Sequence, residues 1–158
     1  MKMIKIKAKI LYWSTWIYNY FVCLRYPFLK VAPSDVYDWV RGYDDIWLDY
    51  IPKGWRKAFG WKLCKDLKKY LKDHNITDYK VIQVKEKFGG LRWYHESKFA
   101  REIKENVIDK YESLSYYCCV NCGKRADWWS SGYVLPYCDD CKNKITDKQF
   151  TKISKNRF

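Results

Sequence analysis

The sequence predicts an α+β fold in which two amphipathic helices pack on an antiparallel sheet centred on a β-hairpin, followed by a cysteine-rich C-terminal hairpin. Three observations carry this reading. Apolar residues recur every four positions from Trp55 to Leu71 and again from Phe99 to Tyr111, as in helices that bury one face. Between these stretches the pattern changes to period two around Gly89-Gly90, as in a hairpin. Two C-x2-C pairs, Cys119 with Cys122 and Cys138 with Cys141, then flank a short aromatic segment.

The segments follow in order. Residues 1–25 form an aromatic extension in which Ile10 to Leu24 carries no charge and follows Lys2, Lys5, Lys7 and Lys9. A run this short, rich in Tyr and Trp and interrupted by Ser14, Thr15 and Asn19, is a poor match for a membrane span of about 20 apolar residues. No small-residue cleavage site follows it, so a signal peptide is not expected either. Membrane is therefore left out of the expected partners, and a packed helix, a packed strand or an exposed tail stay open for this segment.

Residues 26–117 form the α+β domain. Its first part is acidic and turn-rich, with Asp35, Asp38, Asp44, Asp45 and Asp49 among Trp39, Trp47 and Tyr50. Irregular spacing argues for solvated loop acids over a hard-metal site. An alternative is a protein-binding surface in which Trp39 and Trp47 are anchors and Asp44 and Asp45 their polar surround.

From Gly54 to Asp73, Trp55, Phe59, Leu63, Leu67 and Leu71 form the buried stripe of a helix, and Lys57, Lys62, Lys65, Lys68, Lys69 and Lys72 fall opposite with Trp61 among them. A ring within a lysine face can stack on a base while ammonium groups meet phosphates. Trp61 packed on the N-terminal segment is the other reading. The run Tyr79–Phe88, the Gly89-Gly90 turn and Leu91–His95 give the hairpin, with Lys85, Lys87 and Arg92 around the turn and backbone N–H groups able to approach a phosphate. Ser97 caps a second helix to about Ser115 that exposes one face and buries Phe99, Ile103, Val107, Tyr111 and Leu114.

Residues 118–145 are read as a zinc ribbon. Thiolates two residues apart close a knuckle on a tetrahedral metal, and two knuckles supply four ligands, so one Zn²⁺ held by Cys119, Cys122, Cys138 and Cys141 is a structural cofactor with no open position for chemistry. Gly123 allows the tight turn after the first pair, and a Ser131-Gly132 turn joins two β-prone runs. Cys118 breaks the spacing, and Cys23 and Cys64 read as small buried hydrophobes. Residues 146–158 are a basic tail, part helix and part frayed end. Metal spacing in place of a disulfide pattern points to a reducing cytoplasm.

A net charge of +13 and an isoelectric point near 9.4 favour polyanionic partners, and aromatic residues at 20% supply rings for stacking or for interfaces. Nucleic acid is the first expected partner and a protein target the second, and the same aromatics could join two copies into a homodimer. A metal-dependent nuclease is the least favoured reading: Asp78, Gln83-Val84-Lys85 and Glu86 echo a carboxylate-and-lysine pattern only faintly, and His74 and His95 lie outside the cysteine framework.

The motifs Tyr26-Pro27-Phe28-Leu29-Lys30, Gly54-Trp55-Arg56-Lys57-Ala58-Phe59-Gly60 and Gln83 to Tyr94, followed by the Cys119–Cys141 ribbon, resemble small zinc-ribbon proteins encoded by phages and prophages of Gram-positive bacteria. The resemblance covers Tyr26 to about Cys141. It implies an accessory protein that acts by binding in the bacterial cytoplasm, on nucleic acid or on a host defence or regulatory protein, and it brings no catalytic residues.

Overall fold

The computed structural model describes residues 2–31 and 43–153, with side chains from Leu11 onward. The elements are α1 (Lys2–Arg25), the short 3₁₀ turns Pro27–Leu29 and Trp47–Tyr50, a helix α2 (residues 53–73), the hairpin β1 (Lys80–Lys87) and β2 (Gly90–Glu96), a helix α3 (residues 100–115), and the ribbon. In the ribbon, β3 (Trp128–Ser130), β4 (Pro136–Tyr137), the single turn α4 (Asp139–Lys142) and β5 (Phe150–Lys152) follow one another. Two antiparallel sheets result, one of two strands and one ordered β4-β3-β5. The fold is thus mixed helix and sheet, with the expected hairpin and helices present.

Helices α2 and α3 each contain a wide π-helical turn. In α2, Lys53–Trp55 passes through Arg56–Gly60 into Trp61–Asp73; in α3, Ala100–Ile103 passes through Lys104–Ile108 into Asp109–Ser115. The four-residue spacing explains this. At 3.6 residues per turn a repeat of four drifts by about 40° per step, and a wider turn takes up the drift. Trp55, Phe59, Leu63 and Leu67 accordingly stay on one buried face, as do Ile103, Val107 and Tyr111.

The ends of α3 differ from expectation. Phe99 and Leu114 are exposed, and the helix starts at Ala100 with no side-chain cap. Ser97 instead braces the preceding turn: its hydroxyl accepts from Phe99 N at 3.1 Å and donates to Asp78 at 2.8 Å.

The hairpin turn lies one residue earlier than the Gly-Gly pair suggests. Lys87 pairs with Gly90, leaving Phe88 (φ 52°) and Gly89 (φ 77°) as the two-residue loop, the conformation whose twist suits a tight hairpin. Gly90 is needed for a different reason: a Cβ there would sit 2.5 Å from the Tyr116 ring. Helix α3 closes the free edge of β2, with Ser115 Oγ accepting from Leu91 N at 2.8 Å and a Glu112 carboxylate oxygen accepting from Trp93 N at 2.9 Å.

Among the described residues a single core runs from Cys23, Tyr26 and Leu29 through Trp47, Trp55 and Trp93 to Cys119, Val120 and Tyr137. The ribbon is therefore part of the domain's interior and not an appendage. The stretch expected to fray also contributes: β5 pairs with β3, and Ile153 N donates to Asp127 O at 2.8 Å. Lys155 and Arg157 lie outside the described residues.

The N-terminal segment is a helix docked by its second half. Asn19, 1% exposed, donates to the carbonyls of Tyr43 and Asp44, and the rings of Trp16 and Tyr20 meet Tyr43 edge-on at 5.2 and 5.1 Å. Leu11, Trp13, Ile17 and Leu24 remain exposed. Among the described residues, no helix is long and apolar enough to cross a membrane.

Candidate metal centre and a basic groove

The four ligand candidates converge. The Sγ atoms of Cys119, Cys122, Cys138 and Cys141 all lie within 4.8 Å of one another, with Cys122 and Cys138 at 3.5 Å. A tetrahedral zinc with Zn–S bonds near 2.3 Å would place its sulfurs about 3.8 Å apart, whereas a disulfide needs about 2.05 Å. No cysteine is in a disulfide. The set is thus compatible with one metal ion.

Local backbone geometry builds this pocket. In the first knuckle Cys119 N donates to Lys124 O at 2.8 Å and Gly123 N to Cys119 O at 2.9 Å, and Gly123 adopts φ 81°, which only a residue without Cβ enters freely. The second knuckle is the entry of α4, where Lys142 N donates to Cys138 O at 2.9 Å. Trp128 Nε1 donates to Asp139 at 2.7 Å and Lys124 meets Asp140 at 2.8 Å, tying the knuckles to the sheet and to each other.

Burial pushes the Cys138 and Cys141 thiols up. Burial acts on Cys122 too, but the Lys124 backbone N–H and the neighbouring thiols outweigh it and bring that thiol down to about 7. Cys118 is no alternative ligand: its Sγ points to Gly123 O at 3.4 Å, and burial lifts its thiol to about 12.

Helix α2 holds the first knuckle directly. Gly54 N donates to Val120 O at 2.9 Å, and a Cβ on Gly54 would lie 2.2 Å from Cys119 O. On the same helix Lys57, Lys65, Lys68 and Lys72 are exposed. Trp61 is not free among them. It is half-buried, its ring 6.2 Å from that of buried Tyr26, in a groove of about 430 Å³ between α1 and α2 also lined by Tyr18, Phe21, Arg25 and Lys65. Lys68 bridges the two helices beside it, donating to Arg25 O at 2.7 Å with its ammonium 5.4 Å from the Tyr26 ring. The residues that sequence reasoning missed are Tyr18 and Phe21, whose uncharged aromatic stretch gave no clue to which side faces α2, and Arg25 just after it.

The hairpin places Lys85, Lys87 and Arg92 on its outer face with Tyr94, opposite the buried Val84 and Trp93. Lys85 lies over Tyr94 and Lys87 over Phe88. Arg92 is engaged, donating to Tyr116 Oη at 2.7 Å and Leu91 O at 2.8 Å. The turn cannot cradle a phosphate as expected, because Glu86 already accepts from Gly89 N at 2.7 Å and from the Tyr133 hydroxyl.

The acidic aromatic segment also reads differently. Trp47 is 1% exposed and belongs to the core, so it is no surface anchor. Asp44 accepts from Tyr12 and Asp45 from Tyr50. Trp39, Asp35 and Asp38 lie outside the described residues. The nuclease-like set is scattered: Asp78 accepts from Lys98 N and Ser97, whereas Glu86 sits at the far end of β1, about 26 Å along an extended strand, too far to share a metal. His74 stacks on Tyr70 and His95 on Tyr79. Comparison with protein-family models, curated proteins and solved structures yields no match.

Proposed function

We propose that this chain is a phage-type accessory protein of the bacterial cytoplasm that binds nucleic acid, its fold held by one structural zinc ion on Cys119, Cys122, Cys138 and Cys141. The observation that carries the binding reading is the exposed stripe of Lys57, Lys65, Lys68 and Lys72 alongside the aromatic groove that contains Trp61. Cations beside exposed rings meet the two needs of a nucleic-acid surface, phosphate neutralisation and base stacking. Lys85 and Lys87 on the hairpin add a second basic and aromatic area. For the metal, four cysteine sulfurs within 4.8 Å of one another favour zinc, which they would bind with every coordination position filled.

Salt titration of binding to fluorescein-labelled single- and double-stranded oligonucleotides tests the reading. Affinity should fall linearly on a log–log plot with salt, and Lys57→Gln with Lys72→Gln should reduce the slope by about 1–2. A flat salt response contradicts it. The second reading, an inhibitor or adaptor on a host protein, is favoured by one observation: Phe88, Tyr133 and Val134 are exposed together where the hairpin and ribbon tips meet. If that surface is the functional one, Phe88→Ala with Tyr133→Ala abolishes partner binding and leaves nucleic-acid affinity unchanged.

A further inference from the structure

The groove between α1 and α2 is open, apolar in its floor and cationic at its rim. Its walls come from two parts of the chain far apart in sequence, Tyr18 and Phe21 from α1 and Trp61 from α2, with Arg25 and Lys65 at the edge. Phe21 is 62% and Tyr18 49% exposed. Nearby Tyr26 already has two cations beside it, the Arg25 guanidinium 5.8 Å and the Lys68 ammonium 5.4 Å from its ring. The cations are thus fixed close to the rings and not spread along a free surface.

We infer that this groove takes the unpaired bases of single-stranded nucleic acid, and that α1 is half of the site. The inference rests on the nucleic-acid reading above and narrows it to one class of strand. Flat rings with accessible faces stack on any base, which a duplex keeps buried between its neighbours. Arg25 and Lys65 at the rim, with Lys68 beside them, are placed for the phosphates on either side of a stacked base. A groove of about 430 Å³ is of the size that small flat ligands occupy. Charge complementarity selects the occupant: α1 and the exposed face of α2 bring Arg25 and Lys65 to the groove, and among the described residues no acidic side chain lines it.

The test compares a labelled deoxythymidine 15-mer with a duplex of equal length and mixed sequence. The native chain should bind the single strand at least tenfold more tightly than the duplex. Tyr18→Ala with Phe21→Ala, both exposed and so compatible with folding, should weaken single-strand binding about tenfold. The salt slope and the duplex affinity should stay as they were. Trp61→Leu should act in the same direction, its folding checked by bound metal and melting temperature. Equal binding of both strands, or an aromatic double variant with native single-strand affinity, overturns the groove assignment while leaving general nucleic-acid binding intact. Failure of the native chain to bind either strand overturns both.

Discussion

The indole N–H of Trp55 donates to the backbone carbonyl of Cys118 at 2.7 Å. The bond is fully buried and joins the start of α2 to the residue before the first metal-ligand candidate. With the Gly54 amide on Val120 O, it makes the knuckle an extension of the helix: α2 fixes where the first thiol pair stands, and the pair closes off the end of the core. Metal binding and folding should therefore be one event.

Replacing Trp55 by Phe keeps a ring in the core and removes the donor. The Cys118 carbonyl is left buried without a partner, which costs about 1–3 kcal/mol. Urea unfolding should show a lower midpoint with an unchanged slope. Cys118→Ala, which keeps the carbonyl and loses only the thiol, should be milder by comparison. A Trp55→Phe variant as stable as the native chain would show that this contact does not couple helix and knuckle.

The Tyr111 hydroxyl donates to Asp66 at 2.5 Å, joining α3 to α2. Burial, then the Asp66 bond, pushes the phenol well above its usual 10.0. With the folded value raised, the stabilisation is fully present below pH 10 and is lost as pH rises toward the folded value. Tyr111→Phe should cost about 1–2 kcal/mol at pH 8, and its deficit should shrink above pH 10. A deficit that is constant from pH 8 to 11 would contradict the assignment.

Trp47 separates a core role from an interface role. As a core residue, 1% exposed, its replacement by Ala should cost about 3–5 kcal/mol in thermal or urea unfolding. A surface anchor would leave stability unchanged and lose only partner affinity.

The parts of this fold that were legible in the sequence are those with local causes. The C-x2-C knuckles are set by spacing alone, and both helices and the hairpin by the period of their apolar residues. What escaped was decided by distant neighbours. Trp61 and Trp47 look alike in sequence to exposed rings, and only Tyr26 in one case and the surrounding core in the other turn them inward. The turn fell on Phe88-Gly89 because Gly90 is committed to contact with Tyr116, a residue 26 positions on. The strand Phe150–Lys152 is only three residues long, too short to read as a strand from its pattern, and is held by the edge that Trp128–Ser130 offers. For the candidate groove, sequence supplied the α2 side and not the α1 side, since a helix with aromatic rings on every side does not say which face it turns to a neighbour.

The most direct test is the intact mass of the purified chain under native, reducing-agent-free conditions. The account predicts one zinc ion per chain with all seven cysteines unoxidised, and loss of that zinc together with cooperative folding in Cys122→Ser. A metal-free folded chain, or one lighter by about 2 Da for each disulfide formed, would contradict it.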